Sequence, residues 1–72
     1  MNIGTNIKRL RLQRRETQRQ LAEHLGVSSQ AVSKWENNAS APDISLLFPL
    51  AKHFGVTIDE LLAERDGDNV HL

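Results

Sequence analysis

The sequence predicts an all-α domain, a compact unit of five short helices. Apolar residues recur at the three- and four-residue spacing of helices rather than alternating as in strands. Two segments, beginning at Thr17 and Thr57, have the capping-box pattern of a helix start, and Gly26 and Gly55 stand where helices would end. Seventy-two residues with 39% hydrophobic content suffice for one small core.

The domain is predicted to cover residues 1–63, followed by an acidic, flexible C-terminal tail over residues 64–72. The chain has no cysteine, which excludes disulfides and thiolate metal sites. Its apolar runs are only a few residues long, and its N-terminus lacks the pattern of a secretion signal. We therefore expect a cytoplasmic protein that does not enter membranes. Because a core of this size is marginal, we also expect a homodimer.

Charge is distributed unevenly along a chain whose net charge is zero. Residues 1–35 carry seven basic and two acidic side chains, a net +5, whereas residues 36–72 carry two basic and seven acidic ones, a net −5. One half could meet a polyanion while the other is turned away. Charge alone is equally consistent with two solvated faces that attract each other.

The first helix is expected to begin with Asn2 as its cap and to run through Arg15. Its core face consists of apolar residues at helical spacing: Ile3, Ile7 and Leu10. Gly4 is expected to weaken its first turn.

The second and third helices are predicted to fold about Gly26. Thr17 and Gln20 form the capping box of the second helix, whose core face is Leu21, Ala22 and Leu25. Ser28 then caps a third helix over residues 29–36. Ala31, Val32 and Trp35 fall on its inner side, with Trp35 as a core plug rather than a stacking platform. The outer side is unusually rich in serine, glutamine and asparagine for a solvated surface.

Asp43 is expected to cap a fourth helix that buries one face, consisting of Ile44, Leu47, Leu50, Ala51 and Phe54. Pro49 interrupts it, so the helix should either kink or begin at Pro49, and we favour a kink because Pro49 falls on the solvent side. Gly55 ends this helix. Thr57 and Glu60 form the capping box of a short fifth helix.

A set of residues in fixed order runs through these helices between Ile3 and Leu62. It consists of Ile7-x-x-Leu10-Arg11, Gln18-x-x-Leu21-Ala22-x-x-Leu25-Gly26-Val27-Ser28, Val32-Ser33-x-Trp35-Glu36-Asn37, Pro42, Leu47-x-x-Leu50-Ala51 and Gly55-Val56-Thr57-x-Asp59-x-Leu61-Leu62. In these residues the chain resembles the phage repressor and Cro type of helix-turn-helix domain, the XRE-like family of prokaryotic transcription regulators. The resemblance implies a lambda-repressor-like DNA-binding domain.

The resemblance also implies roles for individual residues, with the third helix in the DNA major groove. The base-reading candidates are Ser29, Gln30, Ser33 and Lys34, of which Gln30 suits adenine and Lys34 suits guanine. The phosphate-binding candidates are Gln18 and Asn37, with Thr17, Arg19 and Asn38 as weaker ones. Arg11 and Glu36 are expected to form a structural brace. Many relatives have glycine at the position of Asn38, so the loop there is expected to differ.

The expected function is a sequence-specific transcriptional regulator, most simply a repressor, that binds double-stranded palindromic DNA as a homodimer. No catalytic residue, cofactor or metal is expected, because His24, His53 and His71 lack ligand spacing. The alternative is an antitoxin-like or adaptor module that binds a protein partner. An apolar patch is expected on the last two helices and the tail, formed by Leu46, Phe48, Leu61, Leu62 and Val70.

Overall fold

The computed structural model describes residues 3–64. The elements are α1 (Ile3–Gln13), α2 (Gln18–Leu25), α3 (Ser29–Glu36), a 3-10 turn (Ile44–Leu46), α4 (Leu47–Phe54) and α5 (Ile58–Leu62). No strand occurs between residues 3 and 64, and the all-α prediction is confirmed. The predicted cap Asn2 and residues 65–72 of the predicted tail lie outside the described residues.

Each of the five α-helices contributes one fully buried aliphatic side chain to a single core. These side chains are Ile7, Leu21, Val32, Leu50 and Leu61. Trp35 packs in the same core and is only 4% exposed, as the sequence predicted. Burial of one such aliphatic side chain is worth roughly 1.5–3 kcal/mol. The burial of each of these side chains thus contributes a large fraction of the free energy of unfolding of a small domain.

The predicted caps set the limits of α2 and α5. The Thr17 hydroxyl accepts a hydrogen bond from the Gln20 N–H at 3.0 Å, and the Gln20 side chain accepts from the Thr17 N–H at 2.8 Å. Thr57 and Glu60 make the same pair of bonds, also at 3.0 and 2.8 Å. Gly26 ends α2 at φ 74°. Because these bonds are local, sequence was sufficient to locate them.

The first helix ends at Gln13, two residues before its predicted end. Arg15 has φ 55°, in the left-handed region, and the Glu16 N–H donates to the Arg11 carbonyl at 3.1 Å. This is the closure that glycine usually provides at a helix end. An arginine adopts it at a steric cost on the order of 1 kcal/mol. The sequence has no glycine here, which is why the predicted helix was too long.

Gly4 lies where α1 approaches the end of α3. A Cβ atom on Gly4 would lie 1.8 Å from the carbonyl oxygen of Trp35 and 2.9 Å from Oδ1 of Asn38. Asn38 itself has φ 62°, a left-handed conformation that asparagine tolerates better than most residues. Gly4 was expected only to weaken a helix turn, but its missing side chain is what allows the two backbones to meet.

The predicted fourth helix consists of two elements rather than one kinked helix. Asp43 accepts from the Ser45 N–H at 3.0 Å and opens the 3-10 turn, and α4 begins only at Leu47. Pro49 is exposed in the first turn of α4, where a missing N–H removes no intrahelical bond. Both the kink and the alternative start at Pro49 were therefore wrong. The 3-10 turn also changes the register, so that Ile44, predicted to be buried, is 81% exposed.

Asn6 joins the end of α5 to α1. Its side chain has no exposed surface, and its Nδ2 donates to the carbonyl oxygens of Leu61 at 2.7 Å and Ala63 at 2.8 Å. Carbonyls in the last turn of a helix have no partner within the helix, so Asn6 caps a five-residue helix across the fold. In the sequence Asn6 stands on the apolar face between Ile3 and Leu10, which is the feature that could have revealed this role.

The predicted apolar patch is only partly correct. Phe48 is 66% exposed, but Leu61 is fully buried because it points from α5 into the core. Val70 lies outside the described residues. An apolar groove runs beside Phe48 between α4 and α5, and its lining includes Val56 and Ile58. We call this surface the α4–α5 groove.

Candidate nucleic-acid interface

Helices α2 and α3 are joined as a helix-turn-helix. After Gly26, the Val27 N–H donates back to the carbonyl of Ala22 at 3.0 Å. Ser28 follows at once as the cap of α3, and its hydroxyl accepts from the Ala31 N–H at 3.1 Å. Ala22 is 2% exposed, and its small side chain suits a site where two helices cross closely.

The outer face of α3 carries the four predicted base-reading side chains. Gln30 and Lys34 are exposed, and Ser29 and Ser33 are half-buried. Ser29 Oγ lies 3.5 Å from Oε1 of Gln30, which is too long to hold either group firmly. The face thus offers hydroxyl, amide and ammonium groups, which are the types that pair with base edges in the major groove.

Arg11 and Glu36 form a buried, bidentate ion pair between α1 and the end of α3. Arg11 Nε lies 2.7 Å from one carboxylate oxygen of Glu36, and its Nη2 lies 3.0 Å from the other. Both residues are only 8% exposed. The two parallel hydrogen bonds fix the direction as well as the position of α3 relative to α1.

The pKa values of this pair follow from the contact. The hydrogen bond to Glu36 raises the pKa of Arg11. Burial by itself would raise the pKa of the Glu36 carboxyl, but hydrogen bonds from Arg11 and Gln18, with the nearby positive charges, bring it below its ordinary value of 4.5. Glu36 is therefore ionised and paired at neutral pH, and its charge is turned inward.

Gln18, a predicted phosphate ligand, is already engaged within the protein. Its Nε2 donates to Oε1 of Glu36 at 3.0 Å, so its side chain connects α2 to the ion pair. This bond uses one of the two N–H donors of the Gln18 amide. The backbone N–H of Gln18 belongs to the first turn of α2, where N–H groups lack partners within the helix and attract anions.

The remaining predicted phosphate ligands lie at the ends of α2 and α3. Thr17 and Arg19 are exposed at the start of α2, and Arg19 Nε lies 3.4 Å from Glu23 in a largely exposed ion pair that contributes little to stability. Asn37 and Asn38 are exposed just beyond α3. The bond from Gln18 to Glu36 joins the start of α2 to the end of α3, so these candidates lie at two neighbouring helix termini, a position from which polar groups can contact a phosphate backbone.

Sequence reasoning missed a contact that ties α4 to the turn before α2. Nε2 of His53 lies 2.8 and 3.1 Å from the two carboxylate oxygens of Glu16, and the side chains are only 9% and 13% exposed. The ring of His24 lies against His53 with centroids 4.1 Å apart. His53 is 37 residues from Glu16 in sequence, so no local pattern could have joined them.

Among residues 3–64, no three histidine or acidic side chains are grouped so that they could hold a metal ion. In the same part of the chain, none of the helices has the length and apolar character needed to span a bilayer.

The comparisons with known proteins agree with this geometry. A family model described as helix-turn-helix matches residues 7–61. The chain is 44% identical over 63 residues to the HTH-type transcriptional activator BcrR of Enterococcus faecalis. This match covers 88% of this chain and 31% of BcrR. It is 38% identical over 52 residues to the HTH-type transcriptional regulator MJ0272 of Methanocaldococcus jannaschii, covering 72% of this chain and 79% of that one. The chain thus spans about a third of BcrR.

Among solved structures, the fold is similar to the P22 c2 repressor, crystallised in complex with synthetic operator 9T. The TM-score is 0.78 with 32% sequence identity, and the match covers 83% of this chain and 91% of the repressor chain. The matched family model, the relatives and the shared fold lead to one conclusion: the chain belongs to the helix-turn-helix family of the phage repressor and Cro (XRE) type.

Proposed function

We propose that the chain is a sequence-specific DNA-binding transcriptional regulator that acts as a repressor, with α3 lying in the major groove. The observation that carries the proposal is the polar outer face of α3, together with the ion pair that fixes this helix to α1. The Arg11–Glu36 pair fixes that helix at distances of 2.7 and 3.0 Å. A face that must meet base edges within hydrogen-bonding distance needs such support.

The charge distribution supports the same function. Seven of the nine basic residues precede Trp35, and this half of the chain contains α1, α2 and nearly all of α3. The acidic carboxylate nearest the end of the recognition helix, Glu36, is neutralised by Arg11. The helix-turn-helix half thus presents positive potential to a polyanion, which speeds association and makes affinity depend on salt.

The relatives support regulation of transcription but differ in its sign. The P22 c2 protein is a repressor, solved in complex with a synthetic operator, whereas BcrR is a transcriptional activator. We favour repression because occupying an operator needs only the DNA-binding unit described here. A reporter gene placed behind the selected binding site settles the sign: expression should fall when the protein is present.

The α4–α5 groove supports the proposal of a homodimer. Phe48 and Ile58 expose 66% and 37% of their surface beside it, and Lys52 and Asp59 both line it. A surface that holds both charge signs can meet a second copy of itself about a two-fold axis. Two recognition helices would then be spaced by roughly one DNA turn, about 34 Å, and would require a palindromic operator.

Selection of bound sequences from random duplex DNA tests the function directly. On the selected operator, Gln30→Ala and Lys34→Ala should each cost roughly 1–3 kcal/mol, with the loss confined to certain base positions. Gln13→Ala is the matched control, since its side chain is exposed on α1, outside α2, α3 and the α4–α5 groove. Equal binding of all sequences by the wild type and the variants would contradict specific reading.

An antitoxin-like or adaptor role is the second candidate, and the exposure of Phe48 is the observation that favours it. Deleting residues 64–72 separates the two. Loss of a heterologous protein partner with unchanged DNA affinity favours the adaptor role. The family is one of DNA-binding transcription regulators and not of enzymes. We accordingly propose a non-enzymatic protein of the cytoplasm that works without a cofactor.

A further inference from the structure

We propose that His53 is a positioning residue for DNA binding. It lies on α4, outside the helix-turn-helix, and holds the turn before α2 so that the first turn of α2 can meet a phosphate. The inference rests on the function proposed above and assigns a role in it to a residue that sequence reasoning set aside.

The contact is strong enough to serve this purpose. Nε2 of His53 lies within 3.1 Å of both carboxylate oxygens of Glu16, and both side chains are largely shielded from water. A hydrogen bond to a carboxylate in a shielded site is stronger than a solvated surface contact. Glu16 immediately precedes Thr17 and Gln18, the cap and the first residue of α2.

The main chain of Glu16 is fixed as firmly as its side chain. Its carbonyl oxygen accepts from Nη1 of Arg11 at 2.6 Å, and its N–H donates to the carbonyl of Arg11 at 3.1 Å. Arg11 thus sets the position of the backbone, and His53 sets the direction of the side chain. Together they determine the path by which the chain enters α2.

The His53 ring is itself held in place by its neighbours. The His24 ring of α2 packs on it at 4.1 Å, and the Phe54 ring meets it edge-on at 5.0 Å. The ring therefore spans α4, α2 and the turn between α1 and α2. Since backbone N–H groups at a helix start bind phosphate only in a narrow geometry, a small displacement of this turn should weaken DNA binding.

A purely structural role makes a different prediction. If His53 only stabilised the fold, its replacement would lower the free energy of unfolding while folded molecules kept their DNA affinity. The test therefore measures affinity for the selected operator at a temperature where circular dichroism shows every variant to be folded. The variants are His53→Leu, which keeps the bulk, His53→Gln, which keeps a donor, and Glu16→Gln, which removes the charge.

The positioning role predicts that His53→Leu weakens operator binding about 10-fold and that His53→Gln restores it to within about 3-fold of the wild type. Adding Glu16→Gln to His53→Leu should cause no further loss, because both changes break one contact. The backbone amide resonances of Thr17 and Gln18 should shift in His53→Leu. The control is Gln13→Ala, which alters an exposed side chain at the end of α1, and its affinity should be unchanged.

Wild-type affinity in folded His53→Leu, or independent losses in the double variant, would overturn the proposal. The test of the His53 role can be distinguished from the test of the proposed function. If the wild type selects no DNA sequence, the function fails, whereas the Thr17 and Gln18 resonances still report whether His53 positions the turn. Unshifted resonances in His53→Leu would then overturn the positioning role by themselves.

Discussion

Arg11 shows how one side chain connects three parts of this chain. It donates to both carboxylate oxygens of Glu36 at the end of α3 and to the carbonyl of Glu16 before α2. The planar guanidinium has donors in fixed directions, which lysine lacks. Lysine at this position could hold one partner but not all of them. The pair was expected from the family resemblance, but the contact to the Glu16 backbone depends on where α1 ends and was not.

Gly4 is a residue whose importance can be tested by adding one methyl group. Gly4→Ala places a Cβ atom where only 1.8 Å separates it from the Trp35 carbonyl oxygen, so α1 must move away from α3. Although alanine favours helix, we expect Gly4→Ala to lower the free energy of unfolding by roughly 2–3 kcal/mol. Urea denaturation followed by circular dichroism measures this change.

Thr5→Ala is the control for Gly4→Ala, because Thr5 is the next residue of the same helix and is exposed. It should leave stability unchanged or slightly raised, since alanine has the higher helix propensity. If Gly4→Ala were as stable as Thr5→Ala, the close approach of the two backbones would be refuted.

At the level of elements, the sequence predicted those helices whose ends are decided locally. Thr17, Ser28 and Thr57 cap their helices through bonds to residues three positions away, and so α2, α3 and α5 were placed correctly. The segment around Pro49 was not, because a cap at Asp43, a proline and the packing of α4 compete there. Long-range contacts decided that competition, and they leave no local pattern.

The candidate site divides in the same way. The polar face of α3 could be predicted because helical periodicity alone assigns residues to faces. The bond from Gln18 to Glu36 and the contact from His53 to Glu16 could not, since their partners are 18 and 37 residues apart. Sequence therefore predicted the polar face of α3 and, through the family resemblance, the Arg11–Glu36 pair, but not the long-range contacts of Gln18 and His53.

The ion pair between α1 and α3 predicts a dependence of stability on pH. The pKa of Glu36 is lower in the folded protein than its ordinary value of 4.5, so its contribution is fully present above that value and is lost as the pH falls through the folded-state pKa. Glu36→Gln should cost roughly 2–4 kcal/mol at pH 7, because it leaves the buried guanidinium of Arg11 without an opposite charge. The difference in the free energy of unfolding between wild type and Glu36→Gln should become smaller below pH 4.5.

Urea denaturation of both proteins between pH 3 and 7 (roughly the range in which carboxyl groups titrate) measures that difference. Asp43→Asn serves as the control, since hydrogen bonds from Ser45 also lower the pKa of Asp43 but its side chain is exposed. Asp43→Asn should lower the free energy of unfolding much less than Glu36→Gln does. If the difference in the free energy of unfolding between wild type and Glu36→Gln did not change with pH, the ion pair would not contribute as proposed.

At the scale of the whole molecule, the two halves of the chain differ in net charge and in exposed apolar surface. The half with net +5 contains the helix-turn-helix, and the half with net −5 contains the α4–α5 groove. The negative phosphates of DNA attract the first half and repel the second, so the charge asymmetry favours approach of the helix-turn-helix to DNA.

This arrangement predicts that dimer formation and half-site recognition can be separated. Phe48→Ser should make the protein monomeric at concentrations where the wild type is a dimer, because Phe48 borders the groove and is 66% exposed. Binding to a palindromic operator should weaken at least 10-fold (roughly 1.4 kcal/mol), while binding to a single half-site stays unchanged. Analytical ultracentrifugation and fluorescence anisotropy measure the two quantities. Leu12→Ser is the matched control, since Leu12 is 54% exposed on α1; if it, and not Phe48→Ser, dissociated the dimer, the interface would lie on α1 instead.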